Sequence, residues 1–119
     1  MQLRSFYDAP GFLLLAVGDD GQPEGCVGMR MPTEGIGEVR RLFVNPASRA
    51  SGLGRALIVE LITRTRSQGL DRLVLNTLPT MVQAAGLYRS FGFVPCAPYV
   101  EDPTEGVLFF ELALTSGSG

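Results

Sequence analysis

The stretch that decides the fold is Glu38-Val-Arg-Arg-Leu-Phe-Val-Asn-Pro-Ala-Ser-Arg-Ala-Ser-Gly-Leu-Gly-Arg-Ala56. Residues 38–44 are expected to form a strand, since Val39, Leu42, Phe43 and Val44 are strand formers. Pro46 ends this strand because proline cannot donate to a β-ladder. Further on, apolar side chains recur with a period of 3.6 residues, which predicts a helix. Its buried face would consist of Leu53, Leu57, Ile58, Leu61, Ile62 and Thr65. The stretch therefore predicts a strand, a bend, and a glycine-bearing loop that opens a helix.

This loop has the features of an anion-binding site. Gly52 and Gly54 lie where a helix begins, so that free backbone N–H groups and the positive end of the helix dipole face outward. Arg49 and Arg55 flank the two glycines. Phosphate is the anion that such a helix start most often binds. The alternative is structural: two glycines also suffice to make a tight turn between a strand and a helix.

The composition excludes several classes of protein. The chain has 119 residues and a net charge of −2, without the basic stripe of a nucleic-acid binder. No apolar run is long enough to span a membrane, and residues 1–4 do not begin a signal peptide. We expect a cytoplasmic protein with a single domain over residues 1–114 and a mobile Ser/Gly tail at 115–119.

The available side chains also limit the chemistry. The chain contains neither histidine nor lysine, which excludes a Ser-His-Asp triad and a histidine-ligated metal, and we expect no metal site. Cys26 and Cys96 have no CxxC spacing and are expected to be free, mostly buried thiols. Proton transfer would depend on carboxylates, tyrosine, cysteine or water.

Turn residues and apolar runs predict the other elements. Residues 1–10 are expected to form a loop, with a turn at 8–11. The predicted strands are residues 12–17, 24–31, 38–44, 70–75, 93–95 and 107–114, with turns at 18–23 and 32–37 and a loop at 96–106. The predicted helices are residues 52–68 and 80–91, the second with Thr80 as its N-cap. The order βββ-α-β-α-β-β predicts an α/β fold with a mixed sheet, in which the crossover makes residues 70–75 parallel to 38–44.

Two motifs resemble the GCN5-related N-acetyltransferases, the GNAT family. Arg49-Ala50-Ser51-Gly52-Leu53-Gly54 is similar to the family's Arg/Gln-x-x-Gly-x-Gly/Ala loop, which follows a strand ending in Val-x-Pro, as Val44-Asn45-Pro46 does here. Ala84-Ala85-Gly86-Leu87-Tyr88-Arg89-Ser90-Phe91-Gly92-Phe93 resembles its Ala-x-x-x-Tyr-x-x-x-Gly-Phe segment. The two motifs stand in the family's order, and the resemblance extends over almost the whole chain.

The resemblance implies a GNAT-like acyl-CoA N-acyltransferase fold with acetyl-CoA as the acetyl donor. Its pyrophosphate would lie against Arg49, Ala50, Ser51, Gly52, Leu53, Gly54 and Arg55. Its pantetheine arm would pair with the main chain of Leu42, Phe43 and Val44, where the two parallel strands splay apart. Asn76, at the end of the second of these strands, would complete the cofactor contacts.

The resemblance implies direct transfer of the acetyl group to an amine. We expect the acceptor to be a primary amine of a small molecule, with a peptide amine as the less favoured alternative. Tyr88 would hydrogen-bond the CoA sulfur and protonate the leaving thiolate; alternatively, it is an ordinary core tyrosine. Glu38 would act as the general base if burial raises its pKa. The alternative for Glu38 is an exposed strand carboxylate that pairs with Arg40.

The chain also departs from the family pattern. Ala50 stands where a glycine is common, and Met81 where many members carry a CoA-contacting asparagine. The family usually has a strand and two helices before the point where this chain begins, so we expect an N-terminally truncated fold. An open acceptor side or an exposed sheet edge would follow, which a second copy could cover in a homodimer.

Two alternatives to an acetyltransferase are open. One is a catalytically silent domain of the same fold that binds acyl-CoA or dimerises. The other is a dinucleotide-binding fragment, since Gly52-Leu53-Gly54 resembles the start of G-x-G-x-x-G. The second alternative lacks the third glycine, because Leu57 occupies that position, and lacks the acidic residue downstream.

Overall fold

The computed structural model describes residues 2–6, 11–100 and 103–114; for Phe6, Arg49 and Ala50 it describes the backbone alone. The strands are β1 Gln2–Phe6, β2 Phe12–Val17, β3 Pro23–Thr33, β4 Ile36–Val44, β5 Arg72–Thr77, β6 Val94–Pro95 and β7 Leu108–Ala113. The α-helices are α1 Leu53–Ser67 and α2 Val82–Ser90, and a 3₁₀ helix spans Pro46–Ser51. Neither α-helix is long and apolar enough to cross a membrane, within the part of the chain that is described.

The strands form one seven-stranded mixed sheet in the order β1-β2-β3-β4-β5-β7-β6. The predicted antiparallel meander is present as β2, β3 and β4, and β5 is parallel to β4 as the crossover rule requires. Strands β7 and β6 then complete the sheet with antiparallel pairings. The predicted mixed α/β fold is confirmed.

The prediction of a loop over residues 1–10 was wrong for its first part. Gln2–Phe6 forms β1, which pairs antiparallel with β2 along the edge of the sheet. Gln2 and Arg4 are exposed while Leu3 and Ser5 are half-buried, so the strand alternates over too few residues to show a period. Residues 8–10 of the predicted turn lie outside the described part, as does the predicted tail at 115–119.

Other boundaries also differ from the prediction, and the strand predicted at 70–75 is β5 at Arg72–Thr77. The predicted turn at 32–37 is shorter, because β3 extends to Thr33 and β4 begins at Ile36. Between them Gly35 takes a φ of 81°, which only glycine adopts without strain. Helix α2 has Met81 as its N-cap rather than Thr80, without a side-chain cap, and Phe91 as its C-cap.

The core lies between the sheet and the two α-helices. All six residues predicted for the inner face of the first helix are buried. The five apolar ones pack with Ala85 and Tyr88 of α2 and with inward side chains of the sheet such as Leu73 and Phe110. Along each strand, residues next to the inward ones point to the opposite face of the sheet. Glu38 and Asn76 belong to this opposite face. We call this second surface the outer face.

Candidate functional site

The central feature of the sheet is a fork between β4 and β5. The two strands pair at only three positions, the last of which joins Glu38 to Val74. Beyond that pair β4 continues to Val44 and β5 to Thr77 without a further ladder contact between them. The inner edges of the fork are therefore not paired with each other, which is an arrangement that an extended ligand can fill.

A bulge in β4 lies along the fork. Cys26 pairs with Phe43 and Gly28 with Arg40, so that Arg41 and Leu42 together oppose a single residue of β3. Arg41 has a φ of 56°, the only positive value among the described non-glycine residues. Such a conformation costs about 1–2 kcal/mol in an L-residue, and a bulge bends its strand away from the regular ladder.

A groove runs along the helix side of the fork, between β4 and α2. Its first part has a volume of about 450 Å³ and extends from Gly54, at the start of α1, past Val82. The second part, about 300 Å³, reaches Asn76 and Tyr88. Both parts share Leu42, Met81 and Ala84, and we call the whole cavity the helix-side groove.

The helix-side groove begins at an N-terminus suited to an anion. Gly52 has a φ of 79° and is the N-cap of α1, with no side-chain cap and no acidic residue in the first turn. The N–H groups of that turn are therefore not used by a capping side chain. The preceding 3₁₀ helix was not predicted; it keeps the φ of Ala50 negative, as an alanine in that position requires. The side chains of Arg49 and Ala50 lie outside the described part.

Arg55 links the two helices. Its Nη1 donates to Ser90 Oγ at 3.1 Å, and its guanidinium lies 4.6 Å from the centre of the Phe91 ring. Gly54 also lies close to α2. A Cβ at Gly54 would lie 3.3 Å from Leu87 Cδ2, which is closer than ordinary van der Waals contact. The start of α1 is therefore packed closely against α2 at one end of the helix-side groove.

Tyr88 lies at the inner end of the helix-side groove. Only 5% of its surface is exposed, and its ring packs edge-on against Phe93 with 5.5 Å between the ring centres. Burial raises the pKa of Tyr88 to about 12. The phenol is thus a protonated hydrogen-bond donor at neutral pH.

Glu38 is buried at the point of the fork, with 1% of its surface exposed. Its Oε1 accepts from Arg30 Nε at 2.5 Å and from Arg40 Nη1 at 3.3 Å. Burial raises its pKa, but the hydrogen bonds from Arg30 and Tyr99 outweigh burial and hold the pKa below its ordinary value. The predicted pairing with Arg40 is confirmed, and the alternative of an exposed carboxylate was wrong. The net shift is therefore opposite to the raised pKa that was expected for a general base at this position.

Tyr99 is the site residue that sequence reasoning missed. Its hydroxyl donates to Glu38 Oε2 at 2.8 Å and accepts from Asn76 Nδ2 at 3.0 Å, which connects β4 to β5 across the fork. Its ring packs edge-on against Phe109, 5.2 Å away. Burial and the hydrogen bond to Glu38 raise the pKa of Tyr99. Its one sequence signal was an aromatic residue within a proline-rich loop.

A second cavity opens on the outer face and is called the outer cavity. Its volume is about 260 Å³, and its lining includes Arg30, Arg72, Val74 and Tyr99. The helix-side groove reaches Asn76, and Asn76 is bonded to Tyr99 of the outer cavity. The two spaces therefore approach each other from opposite faces at the fork.

This arrangement defines a class of protein. A long groove whose start suits an anion leads to a gap between two parallel strands, and a small cavity meets the gap from the other face. Such a site suits an enzyme that transfers a group between a long, phosphate-bearing donor and a small acceptor.

Comparison with known proteins gives the family. The model of the acetyltransferase (GNAT) family matches residues 1–93. An uncharacterised N-acetyltransferase of Schizosaccharomyces pombe is 36% identical over 115 residues, which cover 95% of this chain and 70% of that protein. The chain belongs to the GNAT acetyltransferase family.

Solved structures share the fold. A GNAT-family acetyltransferase of Staphylococcus aureus superposes with a TM-score of 0.80 at 20% identity, over 88% of this chain and 68% of the other. A GNAT-family acetyltransferase of Elizabethkingia anophelis, solved with acetyl-CoA bound, superposes with a TM-score of 0.74 at 19% identity, over 87% and 76% of the two chains.

Proposed function

We propose that this chain is an N-acetyltransferase that moves the acetyl group of acetyl-CoA directly to a primary amine of a small molecule. The observation that carries the proposal is the helix-side groove, which runs from the start of α1 to the fork. Family membership supports acetyl-CoA as the donor.

The proposed binding mode follows the groove. The pyrophosphate of acetyl-CoA lies against the start of α1, with Arg49, Ala50, Ser51, Gly52, Leu53, Gly54 and Arg55 as its contacts. The pantetheine arm follows the inner edge of β4 and bonds the main chain of Leu42, Phe43 and Val44, as an added strand would. The thioester then lies at the fork, near Asn76 and Tyr88.

The proposed chemistry requires no covalent enzyme intermediate. The amine nitrogen attacks the thioester carbonyl carbon, so that a C–N bond forms and the C–S bond breaks. Tyr88 donates a hydrogen bond to the sulfur and stabilises the leaving thiolate. The acceptor approaches from the outer face, where a cavity of about 260 Å³ suits a small molecule better than a folded protein.

A panel of small primary amines with acetyl-CoA tests this proposal. Acetylated product is identified by mass spectrometry, and the release of free CoA is followed in parallel. We expect at least one amine to be acetylated with one CoA released per product. Acetyl-CoA binding without acetylation of any amine would contradict the proposal.

That contrary result would favour the alternative, a silent acyl-CoA-binding or dimerisation domain. The observation on its side is that Glu38 is fully hydrogen-bonded and has a lowered pKa. A homodimer formed through the β1 edge and a cytoplasmic location are further proposals. A monomeric mass in sedimentation at high protein concentration would refute the homodimer.

A further inference from the structure

Glu38 is closed off from both cavities by its own hydrogen bonds. It is 1% exposed, two arginines occupy Oε1, and Tyr99 occupies Oε2. A guanidinium stays protonated in proteins and cannot pass a proton on. Among the described residues that bond Glu38, Tyr99 is therefore the one group through which a proton can reach the carboxylate.

The hydrogen-bond pattern fixes the orientation of the Tyr99 hydroxyl. Asn76 donates to its oxygen, so the single hydroxyl hydrogen points to Glu38 Oε2. A phenol oxygen can accept a further hydrogen bond besides the one from Asn76. Tyr99 also lines the outer cavity, the space from which the proposed acceptor approaches.

We propose that Tyr99 is a catalytic proton relay between the acceptor amine and Glu38. The inference rests on the proposed function. As the C–N bond forms, the nitrogen becomes cationic and gives a proton to Tyr99 Oη. The hydroxyl proton of Tyr99 passes at the same time to Glu38 Oε2. Tyrosine is neutral before and after the step, and one proton has moved from nitrogen to carboxylate.

The directions of the pKa shifts agree with Glu38 as the proton acceptor and Tyr99 as the relay. The lowered pKa of Glu38 keeps it ionised before the acceptor enters, so that Oε2 can take a proton. The raised pKa of Tyr99 keeps it from ionising, and it can serve only by exchanging one proton for another. Because protonated Glu38 is acidic, it returns the proton to solvent by the same path after the product leaves.

The test compares Tyr99→Phe, Glu38→Gln and the double variant with the parent protein. Each single change should lower kcat by about 100-fold, the usual scale of general acid–base catalysis, while the Kd for acetyl-CoA stays constant. The double variant should be no slower than the slower single variant, since groups that act as a unit are not additive. Tyr99→Phe retains the ring that packs on Phe109, and thermal melting checks that the variants fold.

A second readout does not depend on turnover. Carbon NMR of the Glu38 carboxyl should show its pKa rising in Tyr99→Phe, because a hydrogen bond to the charged form is lost. The relay would be overturned, while amine acetylation persists, by any of three results. These are an unchanged pKa of Glu38 in Tyr99→Phe, losses of kcat that add in the double variant, or a kcat of Tyr99→Phe within twofold of that of the parent. If the parent protein binds acetyl-CoA but acetylates no amine, the proposed function itself fails, and the relay fails with it.

Discussion

Replacing Tyr88 by phenylalanine separates catalysis from packing. The ring is retained, and with it the edge-on contact with Phe93 at 5.5 Å. The loss is confined to the hydroxyl of a residue that lines the helix-side groove. We therefore expect the melting temperature to change little and the rate of acetyl transfer to fall.

The size of the effect follows from the pKa of Tyr88, which burial raises to about 12. A thiol has a pKa of about 8.5, so complete proton transfer from Tyr88 to the thiolate would be uphill by about 3.5 units, or about 5 kcal/mol. Tyr88 should therefore stabilise the thiolate as a hydrogen-bond donor without giving up its proton. A hydrogen bond to a charged group contributes about 1.5–3 kcal/mol, so that kcat should fall by about 10- to 150-fold.

The assay is release of CoA thiol at saturating acetyl-CoA and amine, with product confirmed by mass spectrometry. The Kd for acetyl-CoA should stay within about threefold, because one neutral hydrogen bond contributes little to net binding. A kcat within twofold of the parent, in a variant that melts normally, would show that Tyr88 is only a core tyrosine. A greatly lowered melting temperature would mean that the hydroxyl has a structural role instead.

Two further predictions concern stability. Gly52→Ala should lower the free energy of unfolding by about 1–2 kcal/mol, because the φ of Gly52 is 79° and alanine is strained there. Gly86→Ala should raise it by up to about 1 kcal/mol, because a Cβ at this helical position would meet no neighbouring atom within 4 Å. Thermal melting checks the pair, and equal shifts would contradict the reasoning. The folded-state pKa of Glu38 lies below its ordinary value of 4.5, so the stability it contributes is fully present above that pH and is lost as pH falls through the folded value. Urea unfolding from pH 6 to pH 3 should show Glu38→Gln losing less stability than the parent, and parallel curves would refute this.

Local patterns were sufficient to predict the strand before Pro46 and the helix after Gly52, but not the 3₁₀ helix between them. The six inward residues of α1 share one period of 3.6 residues, and such a period depends on nearby residues alone. The parallel placement of β5 followed equally from a general rule about crossovers. Strand β1 was not predicted, because a short strand at the edge of a sheet pairs with one neighbouring strand only and shows no distinctive sequence pattern.

The outer-cavity side of the site depends on long-range contacts that no local pattern contains. Tyr99 and Glu38 are 61 residues apart in the chain, and a loop of irregular structure brings them together. The positive φ of Arg41 likewise arises from the register of β4 against β3, which the arginine itself does not signal. Burial of Glu38 and its lowered pKa follow from these contacts, and sequence alone therefore gave the wrong environment for it.

Calorimetric titration with acetyl-CoA tests the central claim, that the helix-side groove holds the cofactor. Two matched variants locate the binding: Val82→Glu places a carboxylate on an exposed position of the groove, and Val59→Glu places one on an exposed position of α1 that does not line it. We predict that the parent and Val59→Glu bind acetyl-CoA saturably with a micromolar Kd. Val82→Glu should bind acetyl-CoA at least about tenfold more weakly than the parent, because its carboxylate repels the negatively charged cofactor. None of the three proteins should bind NAD. Absence of saturable binding, or equal affinities for the two variants, would contradict the account.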